Sequence, residues 1–514
     1  MKPRVVIVVV PRIQDDFGYT PAGPALIKGS IVKAGFECKI LDFNRELDIK
    51  YKNNKEFIVP IENWFMNYNF YSLKIYKLID EMSDEWVDKI IEYNPTHVGL
   101  GVFSYNSQRG TMLLATKIKA RNPNIQVFIG GSGIATDFNF PKHCMDQHII
   151  DCYIRGEGEM SVVEYLNGNL DYPGINGKPP IQITDIEKIA YPDYSDYELV
   201  TYTNKKGLVA LPITGSRGCV RHCTFCDVPS MWPSYKYRPG KSIADEIKYQ
   251  VNKHGVRAFR FTDSLINGSM KAFRDMIKEL SIFRKTLPDD KKFIWDSHFI
   301  VRSPNQMSPE DFCLMAESGA STLLIGVESG SPTVREHMKK GYSDEDLHYS
   351  LQEIFKNKIK VRFLMIVGYP TETQEDFNMT LNLFDKYQEQ GRNGLIEEVN
   401  LGLTLNLLPN TQLYEKAEEY GLSTTKEHIN DWVCVNNPTL DFKERLRRRI
   451  TAQYHVEKLG YKVFESKNYV KALSIAWDQI KNLKNLKTEI TDKDIKFDRE
   501  KGGILIPEDP HRTY

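Results

Sequence analysis

The stretch GSRGCVRHCTFCDVP, residues 215–229, holds three of the eight cysteines of this 514-residue chain within eight positions. Cys219, Cys223 and Cys226 follow the pattern C-x-x-x-C-x-x-C. The stretch comes directly after residues 209–214, an apolar run that predicts a buried strand. Three thiols this close in sequence are typical of a metal or iron–sulfur site. The loop therefore indicates where a cofactor binds and where one strand of the fold ends.

The number of cysteines in this loop points to a cluster with one open iron. A 4Fe–4S cluster is normally held by four thiolates, so three local cysteines leave one iron free to bind a substrate or a cofactor. Two other interpretations stay open: a structural zinc site completed by His222, and three inert cysteines in a core. A zinc site usually shows a second C-x-x-C pair, and His222 directly precedes Cys223, which hinders tetrahedral ligation by both. The flanking Gly, Arg, His and Thr residues are not typical of a core, so the cluster is favoured.

Strands and helices alternate from this loop onward. We predict six strands, at 209–214, 257–262, 293–299, 322–327, 361–367 and 398–407. Helical stretches lie between or after them, at 242–254, 269–286, 308–318, 331–339, 344–357, 373–390 and 411–421. The pattern predicts a partial (β/α)6 barrel of the TIM type over residues 206–425, with its functional loops at the carboxyl ends of the strands.

The residues before the barrel predict a second α/β domain. Apolar runs at 4–10, 37–43, 97–103, 125–129 and 150–154 alternate with helical stretches. We therefore predict a Rossmann-like, doubly wound parallel sheet over residues 1–165, with a helical insertion at 45–82. Gly and Pro residues indicate a linker at 166–205, and residues 426–514 predict a helical C-terminal region.

Composition excludes several classes of protein. Lys+Arg and Asp+Glu both number 68, so the zero net charge gives no bulk attraction to nucleic acid. No apolar run has the ~20 residues of a membrane helix, and the first residues predict a strand rather than a signal peptide. The cytoplasm is the default compartment. The other five cysteines are scattered, so no disulfide scaffold is expected.

The cysteine loop resembles the signature of the radical S-adenosylmethionine (SAM) superfamily, C-x-x-x-C-x-aromatic-C, with Phe225 at the aromatic position. In that family the open iron chelates SAM, and the reduced cluster cleaves it to a 5′-deoxyadenosyl radical that abstracts hydrogen from the substrate. The resemblance implies a 4Fe–4S cluster on Cys219, Cys223 and Cys226, with SAM as cofactor. It also implies a small-molecule or natural-product substrate and an electron donor such as flavodoxin or ferredoxin.

Four later stretches resemble strand ends of the same family, in the same order: FRFTDSLING (259–268), LLIGVESGSP (323–332), FLMIVGYPTET (363–373) and LLPNTQLY (407–414). The resemblance implies that Asp263, Glu328 and Ser329 contact SAM. Arg302, in HFIVRSP, either pairs with the SAM carboxylate or forms a surface salt bridge. Asn410 stands where the family has Gly, and Asn also tolerates the left-handed conformation.

Residues 1–165 resemble the cobalamin-binding type of domain that precedes many radical SAM enzymes. The resemblance rests on FIGGSG (128–133) and DCYIRGEGE (151–159), and implies corrin contacts at Gly130, Gly131, Gly156 and Glu157. The alternative is that these residues only form tight turns. The loop RIQDDFGYT (12–20) contains no His, so it offers no histidine ligand to cobalt. His97 begins a buried strand and is interpreted as structural.

The C-terminal region adds one basic stretch and no cysteine cluster. Its arginines form either a site for an anionic substrate or, as we favour, a solvated helix face: Arg445, Arg447, Arg448 and Arg449. Cys313 and Cys434 are single and distant, so no auxiliary cluster is expected. The resemblance implies a radical SAM enzyme, with cobalamin-dependent methyl transfer as the leading reaction. A radical cyclase, oxidase or rearrangement enzyme is the alternative, and a non-catalytic iron–sulfur redox protein is a weaker one.

Overall fold

The computed structural model of the protein describes residues 2–12, 19–67, 70–135, 137, 139–204, 206–402, 404–424 and 432–464. Two compact units meet in sequence between Pro212 and Ile213. We call them the N-terminal unit and the C-terminal unit and describe each by itself. Asp15 and Asp16 of the loop at 12–20, and residues 465–514 of the predicted helical C-terminal region, lie outside the described residues.

The N-terminal unit contains the predicted five-stranded parallel sheet. Its strands are β1 (Arg4–Val9), β2 (Glu37–Asp42), β3 (His97–Gly101), β4 (Gln126–Gly130) and β5 (Cys152–Ile154). They pair in the order β2-β1-β3-β4-β5. Almost all of β1 is buried, as its apolar residues on both faces predict. The strand order is that of a doubly wound sheet whose switch point lies between β1 and β3.

Seven helices accompany this sheet in the described part of the N-terminal unit. They are α1 (Ala22–Lys33), α2 (Phe43–Tyr51), α3 (Lys55–Met66), α4 (Leu73–Glu92), α5 (Gln108–Arg121), α6 (Asn139–Asp146) and α7 (Gly158–Leu166). The predicted helical insertion is therefore present as α2, α3 and the first part of α4. Its aromatic residues enter the core, where Phe43 stacks on Trp86 with ring centroids 5.2 Å apart.

The segment predicted as a linker, 166–205, is part of the N-terminal unit. Asp196 accepts hydrogen bonds from Lys28 and from the Ile40 amide, and Tyr202 donates to Asp42 at 2.6 Å. The Gly and Pro content predicted a loop, and these contacts attach that loop to α1 and β2 of the N-terminal unit.

The C-terminal sheet has six strands in consecutive order, as a partial barrel requires. They are β6 (Ala210–Ile213), β9 (Ala258–Phe261), β10 (Ile294–Phe299), β11 (Ala320–Glu328), β12 (Lys360–Met365) and β13 (Ile396–Asn400), with a short β7–β8 hairpin between the first two (Ser216–Arg217 and Lys236–Tyr237). Paired strands from β9 to β13 are parallel. The predicted α/β architecture is confirmed.

The helices of the C-terminal unit agree with the predicted ones except after β13. They are α8 (Val228–Met231), α9 (Gly240–His254), α10 (Met270–Thr286), α11 (Pro309–Glu317), α12 (Pro332–His337), α13 (Asp344–Lys356), α14 (Gln374–Lys386), α15 (Gln388–Arg392), α16 (Gln412–Glu415) and α17 (Phe442–Leu459). The helix predicted at 411–421 is only the four residues of α16. A second hairpin follows it, β14 (Leu422–Thr424) with β15 (Trp432–Cys434). Strands this short carry too little alternation to be predicted.

The arginines of α17 are not on a solvated face, so the favoured interpretation of this helix was wrong. Arg445, Arg448 and Arg449 are only 0%, 5% and 1% exposed. Arg448 forms an ion pair with Glu372 at 3.0 Å, and Arg445 stacks on the Trp432 ring, 3.7 Å from its centroid.

The remaining contacts of these arginines are also with the protein. Arg449 donates to Gly402 O at 2.6 Å, and Arg447 pairs with Glu444 on the surface of the same helix. The interpretation as an anionic-substrate site is therefore not supported for the buried arginines, because they anchor α17 to the barrel instead.

Candidate functional site

Three other segments of the C-terminal unit hold the cysteine loop at Thr224, which lies between Cys223 and Phe225. The Thr224 amide donates to Met338 O at 3.2 Å, and its hydroxyl is 2.9 Å from the Tyr369 hydroxyl. Its carbonyl accepts from the Leu413 amide at 2.9 Å.

Two of these contacts come from stretches that the sequence analysis singled out, and the third comes from the residue after α12. Met338 follows α12, Tyr369 belongs to GYPTET, and Leu413 belongs to LLPNTQLY. These stretches are far apart in sequence but converge on the cysteine loop.

Asn410 takes the left-handed conformation that its position requires, with a φ of 64°. The turn that it forms leads directly into α16, whose Gln412 side chain donates to His222 O at 3.4 Å. The expectation that Asn substitutes for Gly at this turn is confirmed.

The three cysteines of the loop are half-buried free thiols. The Cys226 amide donates to Cys223 O at 3.2 Å, and the Arg221 amide donates to Cys219 Sγ at 3.3 Å. Burial raises the pKa of the Cys226 thiol to about 11 and also raises the pKa of Cys223. These thiols lose their protons when they bind metal, as cysteine ligands do.

The loop does not have the geometry of a mononuclear metal site. Nowhere in the described ranges do three His, Cys, Asp or Glu side chains converge as ligands of one metal ion. A structural zinc ion needs four ligands around one point, whereas in a 4Fe–4S cluster each thiolate binds a different iron. The three thiols of the loop are interpreted as ligands of a cluster, as the resemblance implies.

A buried ion pair lies beside the cysteine loop. Glu328, at the end of β11, has a φ of 65°, and its carboxylate is 3.0 Å from Lys340 Nζ. The two side chains are only 10% and 13% exposed. Burial alone would lower the pKa of Lys340. The neighbouring Glu328 carboxylate outweighs this effect, so the pKa of Lys340 is raised.

Lys340 is a residue that the sequence analysis missed. Its Nζ lies 6.0 Å from the centroid of the Phe225 ring, within the electrostatic influence of Cys223. It sits in a turn after α12 and belongs to no recognised motif. Only its position soon after GVESGSP could have suggested it.

Two arginines near the loop retain unused hydrogen-bond donors. Arg302 donates from Nη2 to the carbonyls of Asn267 and Gly268, at 2.6 and 3.0 Å. Its Nε and the Nε of Arg221 are buried without acceptors. Burial lowers the pKa of Arg302, and the charge of Arg221 lowers it further. Since Arg302 is buried and contacts no carboxylate in the described part of the chain, its interpretation as a surface salt bridge was wrong.

Asp263 and Ser329 make contacts within the protein. The Asp263 carboxylate accepts from the Gly215 amide at 2.9 Å and from the Ser216 hydroxyl at 2.6 Å, and burial raises its pKa to about 7. The Ser329 hydroxyl accepts from the Ser331 amide at 3.1 Å and is fully buried. Both side chains fix strand ends, and their direct contact with SAM stays a prediction.

The four residues implied as corrin contacts lie at the carboxyl ends of β4 and β5. Gly131 and Gly156 have φ values of 122° and 80°. A Cβ on Gly131 would overlap Val102 O, and one on Gly156 would lie 2.6 Å from Pro180 Cβ. For these two glycines the turn itself is sufficient reason to lack a side chain.

The other two implied contacts differ from each other. Gly130 ends β4 with more room around it, while the Glu157 carboxylate accepts a hydrogen bond from the Ile183 amide. His97 packs edge-on against Tyr165, and burial lowers its pKa, which agrees with a structural role.

Part of the chain matches a known protein family, and longer stretches are similar to named proteins. The radical SAM superfamily matches residues 213–384. Cytidylyl-2-hydroxyethylphosphonate methyltransferase of Streptomyces wedmorensis is 24% identical over 400 residues, covering 68% of this chain and 69% of that protein. Anaerobic magnesium-protoporphyrin IX monomethyl ester cyclase of Rubrivivax gelatinosus is 25% identical over 334 residues, covering 60% of this chain and 57% of that protein.

A solved structure has a similar fold. The radical S-adenosylmethionine methyltransferase TsrM from Kitasatospora setae, solved with cobalamin and a 4Fe–4S cluster bound, gives a TM-score of 0.61 at 16% identity. The match covers 92% of this chain and 95% of that chain. No helix in the described ranges is long and apolar enough to cross a membrane. With the cysteine loop and the segments that converge on it, these comparisons identify residues 213–384 as a radical SAM domain.

Proposed function

We propose that this chain is a cobalamin-dependent radical SAM methyltransferase that acts on a small molecule. In this proposal Cys219, Cys223 and Cys226 hold one 4Fe–4S cluster, and SAM binds the open iron. The observation that carries the proposal is the convergence on Thr224, where Tyr369 and Leu413, from two stretches of the resemblance, and Met338 after α12 fix the cysteine loop. A redox protein that needed only three thiolates would not require this arrangement.

The residues around the loop suit the polar methionine end of SAM. When bound, the reduced cluster supplies the electron that cleaves SAM, and cobalamin supplies the methyl carrier. Arg221 and Arg302 have buried N–H groups without acceptors, and a carboxylate is the acceptor that a guanidinium fits best. Phe225 packs against an apolar cluster that includes Val334 and Tyr369, and so excludes water from one side of the loop.

Support for methyl transfer comes from the relatives and from the fold of the N-terminal unit. The Streptomyces relative is named as a methyltransferase, and TsrM was solved with cobalamin. The N-terminal unit has the doubly wound sheet on which such a ligand sits at the carboxyl edge. The Rubrivivax relative favours a radical cyclase as the second candidate. We also propose an electron donor such as flavodoxin or ferredoxin, and the cytoplasm as the compartment.

Anaerobic reconstitution tests the proposal. The full chain, supplied with iron, sulfide, hydroxocobalamin, dithionite and SAM, should hold about four irons and four sulfides. Mass spectrometry should detect both S-adenosylhomocysteine and 5′-deoxyadenosine. 5′-Deoxyadenosine alone, with no cobalamin retained after desalting, would support the cyclase candidate instead.

A matched pair of cysteine variants tests the cluster assignment. Cys223→Ala should lose the brown absorbance and both products, whereas Cys313→Ala, at an exposed thiol outside the loop, should keep them. Full activity in the Cys223→Ala protein would refute the assignment.

A further inference from the structure

The switch point of the N-terminal sheet presents two side chains to which the sequence analysis assigned no function. Arg12 follows β1 and Phe103 follows β3, the adjacent strands at which the strand order reverses. In doubly wound sheets the loops after these two strands separate and leave a crevice where ligands bind. Arg12 and Phe103 therefore lie where the fold predicts a ligand.

Arg12 is held in place, but two of its guanidinium nitrogens have no acceptor. Its amide donates to the Asn44 side chain at 2.8 Å, and its guanidinium carbon lies 3.5 Å from the centroid of the Phe103 ring. Its Nε and Nη1 are buried without an acceptor. Burial lowers the pKa of Arg12 to about 10, and the charge of Asp42 only partly opposes this. Buried donors normally have a partner, and one that lacks it calls for an explanation.

Phe103 is an exposed aromatic ring on a braced loop. It is 54% exposed, although large apolar side chains are usually covered. The Ser132 hydroxyl, in the FIGGSG turn after β4, donates to Phe103 O at 2.6 Å. This turn therefore positions Phe103. FIGGSG thus has a role at the carboxyl edge of the sheet that does not require its glycines to contact a ligand.

The loop after β3 carries further unpartnered polar atoms. The Ser104 and Ser107 hydroxyls and the Asn106 side-chain oxygen are buried without a hydrogen bond. Together with the two Arg12 nitrogens they are five of the nine such atoms in the described part of the N-terminal unit. Such atoms concentrate at this edge, which is expected where a polar ligand completes the hydrogen bonding.

We infer that Arg12 and Phe103 form the cobalamin-binding platform of the N-terminal unit. The exposed part of the Phe103 ring covers apolar surface of the corrin, and Arg12 donates N–H groups to an oxygen of the cofactor. That oxygen belongs to a side-chain amide of the corrin or to the phosphate of the nucleotide loop. The inference rests on the proposed cobalamin dependence.

Binding of hydroxocobalamin to the reconstituted full chain tests the platform. Equilibrium dialysis should give a dissociation constant at least about tenfold weaker for Arg12→Gln, because a charge-assisted hydrogen bond is lost. Phe103→Ala should also weaken binding. Arg4→Gln is the matched control, since Arg4 lies at the other end of β1 and stacks on Tyr93 at 4.2 Å. It should bind as the wild type does.

Cobinamide, which lacks the nucleotide loop, separates the two sources of the oxygen. If Arg12→Gln weakens cobalamin but not cobinamide, Arg12 binds the phosphate, and if it weakens both, it binds a corrin amide. Iron content and far-ultraviolet circular dichroism verify that each variant is folded. If Phe103→Ala is not folded, Phe103→Leu replaces it.

Wild-type affinity in both Arg12→Gln and Phe103→Ala would overturn the inference and leave the proposed function intact. Absence of binding by the wild type would overturn the cobalamin proposal itself.

Discussion

The ion pair between Glu328 and Lys340 allows a sharp test of how the cysteine loop is supported. Its partners are 3.0 Å apart and nearly buried, so water screens them little. With an effective dielectric constant of about 20, their attraction is about 5 kcal/mol. Much of this is offset by the desolvation of both charges, so the intact pair contributes far less to stability. Lys340→Met removes one partner and leaves a carboxylate buried without a counter-charge.

We expect Lys340→Met to lower the free energy of unfolding of the C-terminal unit by about 3–5 kcal/mol, the usual effect of breaking a buried pair. The double variant Glu328→Gln/Lys340→Met should lose only about 1 kcal/mol, because it leaves no uncompensated charge. The neighbouring Lys339 offers a matched control. Its side chain donates to Gln412 near the surface, so Lys339→Met should change stability by less than about 1 kcal/mol.

Urea denaturation of the apo chain measures these differences, and iron content after reconstitution reports on the loop. A Lys340→Met protein as stable as the Lys339→Met protein would refute the buried pair. A double variant no more stable than Lys340→Met would show that the loss comes from packing of the lysine stem rather than from charge.

Two further predictions concern Asn410 and Asp263. Asn410→Val should destabilise the C-terminal unit by about 1–2 kcal/mol in urea denaturation, because a β-branched residue is strained at a φ of 64°. Asn410→Gly should be nearly neutral. Equal stability of the two variants would contradict the left-handed turn. Burial raises the pKa of Asp263 from 3.8 to about 7, so the folded state holds this proton where the unfolded state has released it. Its contribution to stability is therefore fully present below about pH 3.8 and is lost as pH rises towards 7. Thermal melts of the apo chain between pH 4.5 and 7.5 should show a steeper decline for wild type than for Asp263→Asn, and parallel curves would count against the shift.

The sequence was sufficient to predict the strands of both sheets. Residues 5–10 are a short run of apolar, mostly β-branched residues, which favours a buried parallel strand, and the structure has β1 there. The cysteine loop was predictable for a similar reason, since its spacing is local in sequence. Helix α16 was predicted too long. Over ten residues, the sequence of a polar turn resembles that of a polar helix too closely for the two to be separated.

Pairs that are distant in sequence could not be predicted. Arg12 and Phe103 are 91 positions apart, and nothing in the loop at 12–20 or in the apolar run at 97–103 indicates that the two side chains meet until β1 and β3 bring them together. Lys340 and Glu328 are close in sequence, but a lysine in a turn is usually solvated. Burial of a charge depends on what packs over it, which a single sequence does not encode locally.

The stretch GYPTET shows how burial of charge links two parts of the C-terminal unit. On one side Tyr369 bonds to Thr224 of the cysteine loop, at 2.9 Å. On the other side Glu372 pairs with Arg448 of α17, at 3.0 Å, with both side chains almost fully buried. A shift of α17 would therefore strain the Glu372 pair or move residues 369–372, and Tyr369 would carry that movement to Thr224. The four-residue span is too short to absorb it, so α17 stabilises the position of the cysteine loop without contacting a cysteine.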